Sequence, residues 1–208
     1  MINSKLVAII DYKTGNTASV ANAVKRVGGD YVITDSKSEI KKCSHIILPG
    51  VGSFKQAIEN LKKSKLISTI EHEVFNNNKK LLGICVGMQL MFENSNEDGF
   101  HEGLGWFKGS VKKIITKKKL ILPHVGWNKI NIENNNTDKF KDCKQLDFYF
   151  DHNYECIPQS HEFISSTTKY GKKICASVQD KNISAVQFHP EKSQLEGLRL
   201  FKNFVKND

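Results

Sequence analysis

The run Lys79-Lys80-Leu81-Leu82-Gly83-Ile84-Cys85-Val86-Gly87-Met88-Gln89-Leu90-Met91-Phe92 passes from a short apolar stretch through a Gly-x-Cys-x-Gly turn into apolar residues at helical spacing. A strand, a sharp elbow and a helix are predicted. Small residues at Gly83 and Gly87 permit a strained backbone at Cys85 and close packing of strand on helix. The sulfur is then expected to be exposed at the carboxyl edge of a sheet, facing the free N–H groups and positive dipole end of the following helix. That surrounding suits a nucleophile with an oxyanion beside it. A small buried thiol in a core strand is the competing reading, and the turn alone does not separate the two.

Upstream, the same alternation repeats. Leu6 to Ile10 is an apolar run ending at Asp11, followed by the loop Tyr12-Lys13-Thr14-Gly15-Asn16 and by Ala18, Val20, Ala21, Val24 and Val27 at helical spacing. Asn16 suits the helix N-cap and Gly28-Gly29 the stop. A second strand is expected at Tyr31 to Thr34. A third, Ser44 to Leu48, runs into Pro49-Gly50-Val51-Gly52-Ser53-Phe54 and a helix marked by Ala57, Ile58 and Leu61. Leu66, Ile67, Ile70, Val74 and Phe75 continue the helical signal. Unbroken apolar strands alternating with helices imply a parallel sheet covered on both faces, with Cys85 ending its fourth strand.

Downstream of Glu93 the helical period is lost. Gly103, Gly105 and Gly109 punctuate short segments, and Val111 to Ile115, Leu120 to Leu122, Lys129 to Ile132 and Leu146 to Phe150 read as brief strands. An antiparallel or mixed extension of the same sheet is expected there, with Asn134-Asn135-Asn136 as an exposed loop. Lys173 to Val178 and Ile183 to Phe188 flank Gln179-Asp180-Lys181-Asn182 as a hairpin. A last helix carries Leu195, Leu198, Phe201 and Val205 on one face. No repeat, linker or low-complexity segment divides the chain, so 1–208 reads as one α/β domain.

Composition narrows the function. With 208 residues and 39% hydrophobic content the chain can bury one sizeable core. No signal-peptide pattern and no membrane-spanning apolar run is present, which points to a cytoplasmic protein. Five cysteines (Cys43, Cys85, Cys143, Cys156, Cys175) without a C-x-x-C pair indicate neither a disulfide framework nor a zinc site. No metal or cofactor is expected. The net charge of +9 raises nucleic-acid binding, but Arg26 and Arg199 are the only arginines, and phosphate and base recognition favour the arginine fork. A lysine-rich solvated surface accounts for the charge, with Lys112-Lys113 and Lys117-Lys118-Lys119 as candidate contacts for an acidic partner or a phosphorylated substrate.

Three strand ends bear chemically distinct parts. Cys85 is a candidate nucleophile. His189-Pro190-Glu191 follows the last strand, so an imidazole can take the thiol proton while a carboxylate two residues on fixes its tautomer. An ordinary strand-end histidine and a carboxylate favoured by a helix start are the bland alternatives. Pro49-Gly50-Val51-Gly52 brings backbone N–H groups close to a ligand, either an oxyanion or a phosphate.

Pro49-Gly-Val-Gly52, Gly83-Ile-Cys-Val-Gly-Met-Gln89 and Gln187-Phe-His-Pro-Glu-Lys192, in this order and at these distances, resemble the class I, triad-type glutamine amidotransferases. Asp11-Tyr12 with Gly15-Asn16, Pro123-His-Val-Gly-Trp-Asn128, Tyr149-Phe150 with His152 and Tyr154, and Phe188 to Gln194 resemble, within that family, the glutaminase subunits of imidazole glycerol phosphate synthase. The resemblance covers essentially the whole chain. It implies a mixed, mostly parallel sheet flanked by helices around a flavodoxin-like core, and a Cys85–His189–Glu191 triad that hydrolyses glutamine to glutamate and ammonia. It further implies an oxyanion strand at Gly50, Val51 and Gly52, and a substrate grip by Gln89, Asn153 and Tyr154. The implied partner is a separate barrel-shaped synthase (cyclase) subunit in a heterodimer, contacting Asn16, Trp127 and Asn128, with no nucleic acid and no membrane involved. Lys13 departs from the small residue usual after Asp11-Tyr12, and Asp151 from the apolar residue usual before His152. Both departures touch the expected partner or substrate face. The departures leave the triad untouched but allow a paralogous subunit supplying ammonia for amidation of a surface sugar; a triad cysteine hydrolase or peptidase using the same elbow is an alternative of another class.

Overall fold

The computed structural model describes residues 5–115, 120–133 and 138–206. Its first half alternates β1 (Leu6–Ile10), α1 (Thr17–Arg26), β2 (Asp30–Thr34), α2 (Lys37–Lys42), β3 (His45–Gly50), α3 (Phe54–Ser64), α4 (Ile67–Glu71), β4 (Lys80–Cys85) and α5 (Val86–Leu90). The second half runs β5 (Phe92–Ser95), β6 (His101–Glu102), β7 (Phe107–Lys113), β8 (His124–Ile132), β9 (Asp147–His152), β10 (Tyr154–Pro158), β11 (Ile164–Tyr170), β12 (Lys172–Asp180), β13 (Ile183–Val186) and α6 (Gln194–Lys206). Among the described residues no helix is long and apolar enough to cross a membrane.

Nine strands form the main sheet in the order β2-β1-β3-β4-β13-β12-β11-β8-β9. The first five are parallel, as the unbroken apolar runs require, and Val7 to Ile10 and Ile46 to Leu48 have no solvent exposure. Each such side chain contributes about 1.5–3 kcal/mol of burial. The remaining strands pair antiparallel, so the sheet is mixed about β13. Helix α1 begins where Asn16 accepts the Ser19 N–H and ends at Gly28, whose φ is +77°. It buries Val20, Ala21, Ala23 and Val24 and packs on α6.

Not every second-half strand extends the main sheet. The stretch read as Val111 to Ile115 is in a strand only to Lys113, where β7 ends, and β5, β6, β7 and β10 make a separate four-stranded sheet in the order β10-β7-β5-β6. A parallel return to the main sheet needs a crossover of a dozen or so residues. Helix α5 has five residues and β5 starts at Phe92, so the chain leaves the carboxyl edge and builds a second layer instead.

Leu120 to Leu122 form no strand; Ile121 is exposed and its carbonyl accepts the Tyr170 hydroxyl. The strand expected at Lys129 starts at His124, because alternation continues through polar residues that face other side chains. The 173–188 hairpin is present as β12 and β13, with a tighter turn at Lys181-Asn182. Leu195 is 65% exposed; α6 instead buries Leu200, Phe201, Phe204 and Val205. Phe75 also faces outward, because α4 continues into a wider π-type turn at His72–Asn76 that shifts its register; its ring meets Trp106 edge-on at 5.8 Å. The Asn134–Asn136 loop and the Lys117–Lys119 cluster lie outside the described residues.

Candidate active site

Strands β3, β4 and β13 are adjacent in the sheet, with Gly50 opposite Cys85 and Ile84 opposite Val186. Their carboxyl ends therefore bring the three sequence-predicted parts together. Cys85 has φ +54° and ψ −110° and caps α5, a left-handed position that an L-residue adopts only at a cost of about 1–3 kcal/mol. Close packing enforces it. A Cβ on Gly87 would overlap the Leu48 carbonyl, and one on Gly50 would lie 2.7 Å from the Gly87 nitrogen and 2.8 Å from the Tyr12 hydroxyl. That hydroxyl in turn donates to the Pro49 carbonyl at 2.6 Å.

Contrary to expectation, the sulfur is not exposed: Cys85 is 3% accessible. It sits at the floor of a cavity of about 550 Å³, with the Asp151 carbonyl 3.9 Å away and the Gln187 amide 3.7 Å away. A recess of about 660 Å³ beside Glu133, Thr167 and Lys173 is larger but shares no residue with this cavity. The chemistry, not the volume, singles out the cavity at Cys85.

His189 follows β13, its N–H donating to the Tyr149 carbonyl at 2.8 Å and its own carbonyl accepting the Ser193 hydroxyl at 2.6 Å. Its Nδ1 bonds Glu191 Oε1 at 2.8 Å, which leaves Nε2 for the hydrogen bond to the Cys85 sulfur. Burial opposes a charged imidazole, but the charge and hydrogen bond of the Cys85 sulfur and those of Glu191 outweigh it and raise His189 to about 10. Glu191 has a side chain only 1% exposed and, among the described residues, no other partner for its second oxygen. A neutral imidazole would strand a buried carboxylate.

The expected oxyanion strand borders the cavity at Val51 and Gly52, with Gly50 buried behind them. Val86 opens α5, so its N–H lacks an intrahelical acceptor, and the residue lines the same space. Gln89, Asn153 and Tyr154 also line the cavity; Gln89 Nε2 reaches the Tyr154 carbonyl at 3.4 Å and Gln187 Oε1 at 3.2 Å. Of the residues expected to face a partner, Asn16 lies at the rim, while Trp127 and Asn128 stand back from it on β8. Trp127 is half exposed next to an equally exposed Val125; the Asn128 amide nitrogen is engaged internally. Of the two departures, Asp151 lines the cavity. Lys13, at φ +64°, points outward and bonds Asp11, whose carboxyl it holds below the usual range.

Glu97 was not anticipated. It lines the cavity and accepts the Phe54 N–H at 2.6 Å, and burial raises its carboxyl against that bond. It comes from a polar loop with no periodicity, so only the fold reveals its place. Gln187, noted only as part of a motif, proves to bridge Gln89 and the sulfur.

Known proteins resemble this chain in sequence and fold. The family model described as glutamine amidotransferase class-I matches residues 8–207. The chain is 41% identical over 201 residues to "Imidazole glycerol phosphate synthase subunit HisH 1" of Campylobacter jejuni, covering 97% of this chain and 100% of that one. It is 42% identical over 213 residues to the HisH subunit of Cyanophora paradoxa, covering 99% and 98%. Among solved structures, PurLQS from Thermotoga maritima aligns at a TM-score of 0.74 and 19% identity over 97% of both chains. A solved glutamine amidotransferase aligns at a TM-score of 0.74 and 16% identity over 95% of this chain and 96% of that one.

Proposed function

The chain belongs to the class I glutamine amidotransferases, and from that membership we propose that it is the glutaminase subunit of an imidazole glycerol phosphate synthase, supplying ammonia for histidine biosynthesis. The observation that carries the mechanism is the line from Glu191 through His189 to a sulfur held at the strained end of β4, on the floor of an amino-acid-sized cavity.

Cys85 Sγ attacks the side-chain carbonyl carbon of glutamine. The oxygen takes the negative charge, facing the N–H groups of Val86 and of the Gly50–Gly52 strand. His189 delivers its proton to the nitrogen, the C–N bond breaks and ammonia leaves a glutamyl thioester. Water, deprotonated by His189, then attacks the thioester; the C–S bond breaks and glutamate is released. Gln89, Asn153 and Tyr154 hold the amino-acid end, and Glu97 supplies a carboxylate for the substrate's ammonium group.

The ammonia acceptor belongs to a second polypeptide, a cyclase subunit docked over the carboxyl edge at Asn16, Trp127 and Asn128. Val125 and Trp127 present exposed apolar surface on one face of β8, and exposed aromatic anchors of this kind dominate interface energetics. Mixing the chain with such a synthase, glutamine and the phosphoribulosyl aminoimidazole carboxamide precursor should yield glutamate and imidazole glycerol phosphate together. Production of neither rejects the assignment. In that complex Glu97→Gln should raise KM for glutamine about tenfold with kcat nearly unchanged, since it removes binding common to ground and transition states. An unchanged KM would remove Glu97 from the substrate grip.

A further inference from the structure

His152 lines the cavity and His124 is bonded to it; they are 6% and 2% exposed and take no part in the chemistry above. They face each other at a paired position of β8 and β9. Asn128 Nδ2 donates both to the Lys169 carbonyl and to His124 Nε2, each at 3.1 Å. An amide nitrogen only donates, so His124 Nε2 is an acceptor and its proton sits on Nδ1. That Nδ1 is 2.9 Å from His152 Nε2, which must therefore accept, and the remaining His152 proton on Nδ1 goes to the Tyr154 carbonyl at 2.7 Å. The line has one direction. A backbone carbonyl ends it at each extremity, and neither can donate.

The rings are held in place. His124 stacks on Phe150 at 4.7 Å and on Tyr170 at 4.0 Å. Burial lowers His124 to about 4; for His152 burial lowers the value to about 3, with the Tyr154 carbonyl opposing and the charges of His124 and His189 reinforcing. A second proton on either ring would also set two N–H groups against each other.

The line ends where the chain changes sheets. Asp151 and His152 pair with β8 in the main sheet and Tyr154 with β7 in the second, so the two ladders meet across Asn153. The Asp151 carbonyl faces the Cys85 sulfur, and the Tyr154 carbonyl also receives Gln89. We propose that His124 and His152 are positioning residues that orient the Asp151–Tyr154 wall of the glutamine cavity and tie it to the partner-facing strand β8, a role that rests on the glutaminase assignment above.

His124→Phe keeps the stack and removes the donor to His152; His124→Asn restores an N–H near the lost Nδ1. In the complex, the Phe variant should raise KM for glutamine about tenfold, as sub-ångström misplacement of a binding wall does, while synthesis from added ammonia stays at the wild-type rate. The Asn variant should recover most of that loss. A KM within twofold of wild type for the Phe variant, or equal losses in the two variants, overturns the positioning role. Nitrogen-15 NMR of the wild-type chain at pH 7 supplies a test that needs no variant to fold: both rings should be neutral with the proton on Nδ1. An imidazolium or an Nε2-protonated ring at either position overturns it. A wild-type complex that makes no glutamate would instead count against the glutaminase assignment, and the NMR result would still decide the direction of the hydrogen bonds.

Discussion

Replacing Cys85 by alanine is expected to reduce glutamate production by about 10⁴-fold or more, the scale seen when a covalent nucleophile is removed from a triad. The fold should persist. Alanine retains the Cβ, so the strain at φ +54° is unchanged, and the lost sulfur leaves a one-atom void on a cavity floor costing on the order of 1 kcal/mol. No other thiol can substitute. Burial raises Cys43 and Cys156 and pushes Cys143 and Cys175 up to about 12, and none of the four lines the cavity. Because the acceptor site is assigned to the partner, the variant complex should still make product from ammonia at the wild-type rate. Glutamate release above trace level from a folded Cys85→Ala chain would reject the covalent mechanism. Loss of ammonia-driven synthesis with the partner still bound would reject the division of labour.

Local rules reach as far as the residues they concern. Three of the first four strands were readable because Val7 to Ile10, Ile46 to Leu48 and Leu81 to Ile84 are apolar runs too short for helices and bounded by turn residues. Asn16 and Gly28 marked a helix by capping chemistry that needs no tertiary context. Cys85, His189 and Glu191 could be placed together from sequence because Cys85 ends β4, His189 comes three residues after β13 with Glu191 two residues on, and the ends of neighbouring strands in one sheet lie together. The second half resisted because an alternating pattern states which face is buried but not which sheet a strand joins: β7 and β9 read alike and lie in different layers. The exposure assigned to the sulfur failed for a related reason. Asp151 and Gln187, 66 and 102 residues away, close over it, and no local pattern reports a lid built from such distant chain. Leu195 shows the limit of helical periodicity at a helix start, where the first turn of α6 buries Glu196 and Gly197 and leaves Leu195 in solvent.

The isolated chain is expected to be a poor glutaminase, and binding of the synthase with its acceptor should raise glutamate production by roughly 100- to 1000-fold, the worth of one added oxyanion donor. Hydrolysis without an acceptor wastes glutamine, so an active site that completes itself only in the loaded complex has an evident use. The structure supplies a place for such a change. Gly50 is clamped between Gly87 and Tyr12, whereas Val51 is 38% exposed and Gly52, at φ +89°, has nothing within 4 Å of where a Cβ would stand. The strand is thus tightly packed at Gly50 and open around Gly52, and rotation of its peptide units would alter which N–H faces the cavity. Glycine at position 52 keeps both signs of φ accessible. Gly52→Pro fixes φ near −65° and removes an N–H, so it should cut the stimulation to about tenfold or less while leaving affinity for the synthase within a few-fold, because position 52 borders the cavity rather than the exposed face of β8. The measurement is glutamate production at saturating glutamine by the chain alone, by the complex, and by the complex with acceptor, for both versions of the chain. Equal rates in the three states would dismiss gating even with Cys85 established as nucleophile, and full stimulation in the proline variant would move the gate elsewhere than this strand.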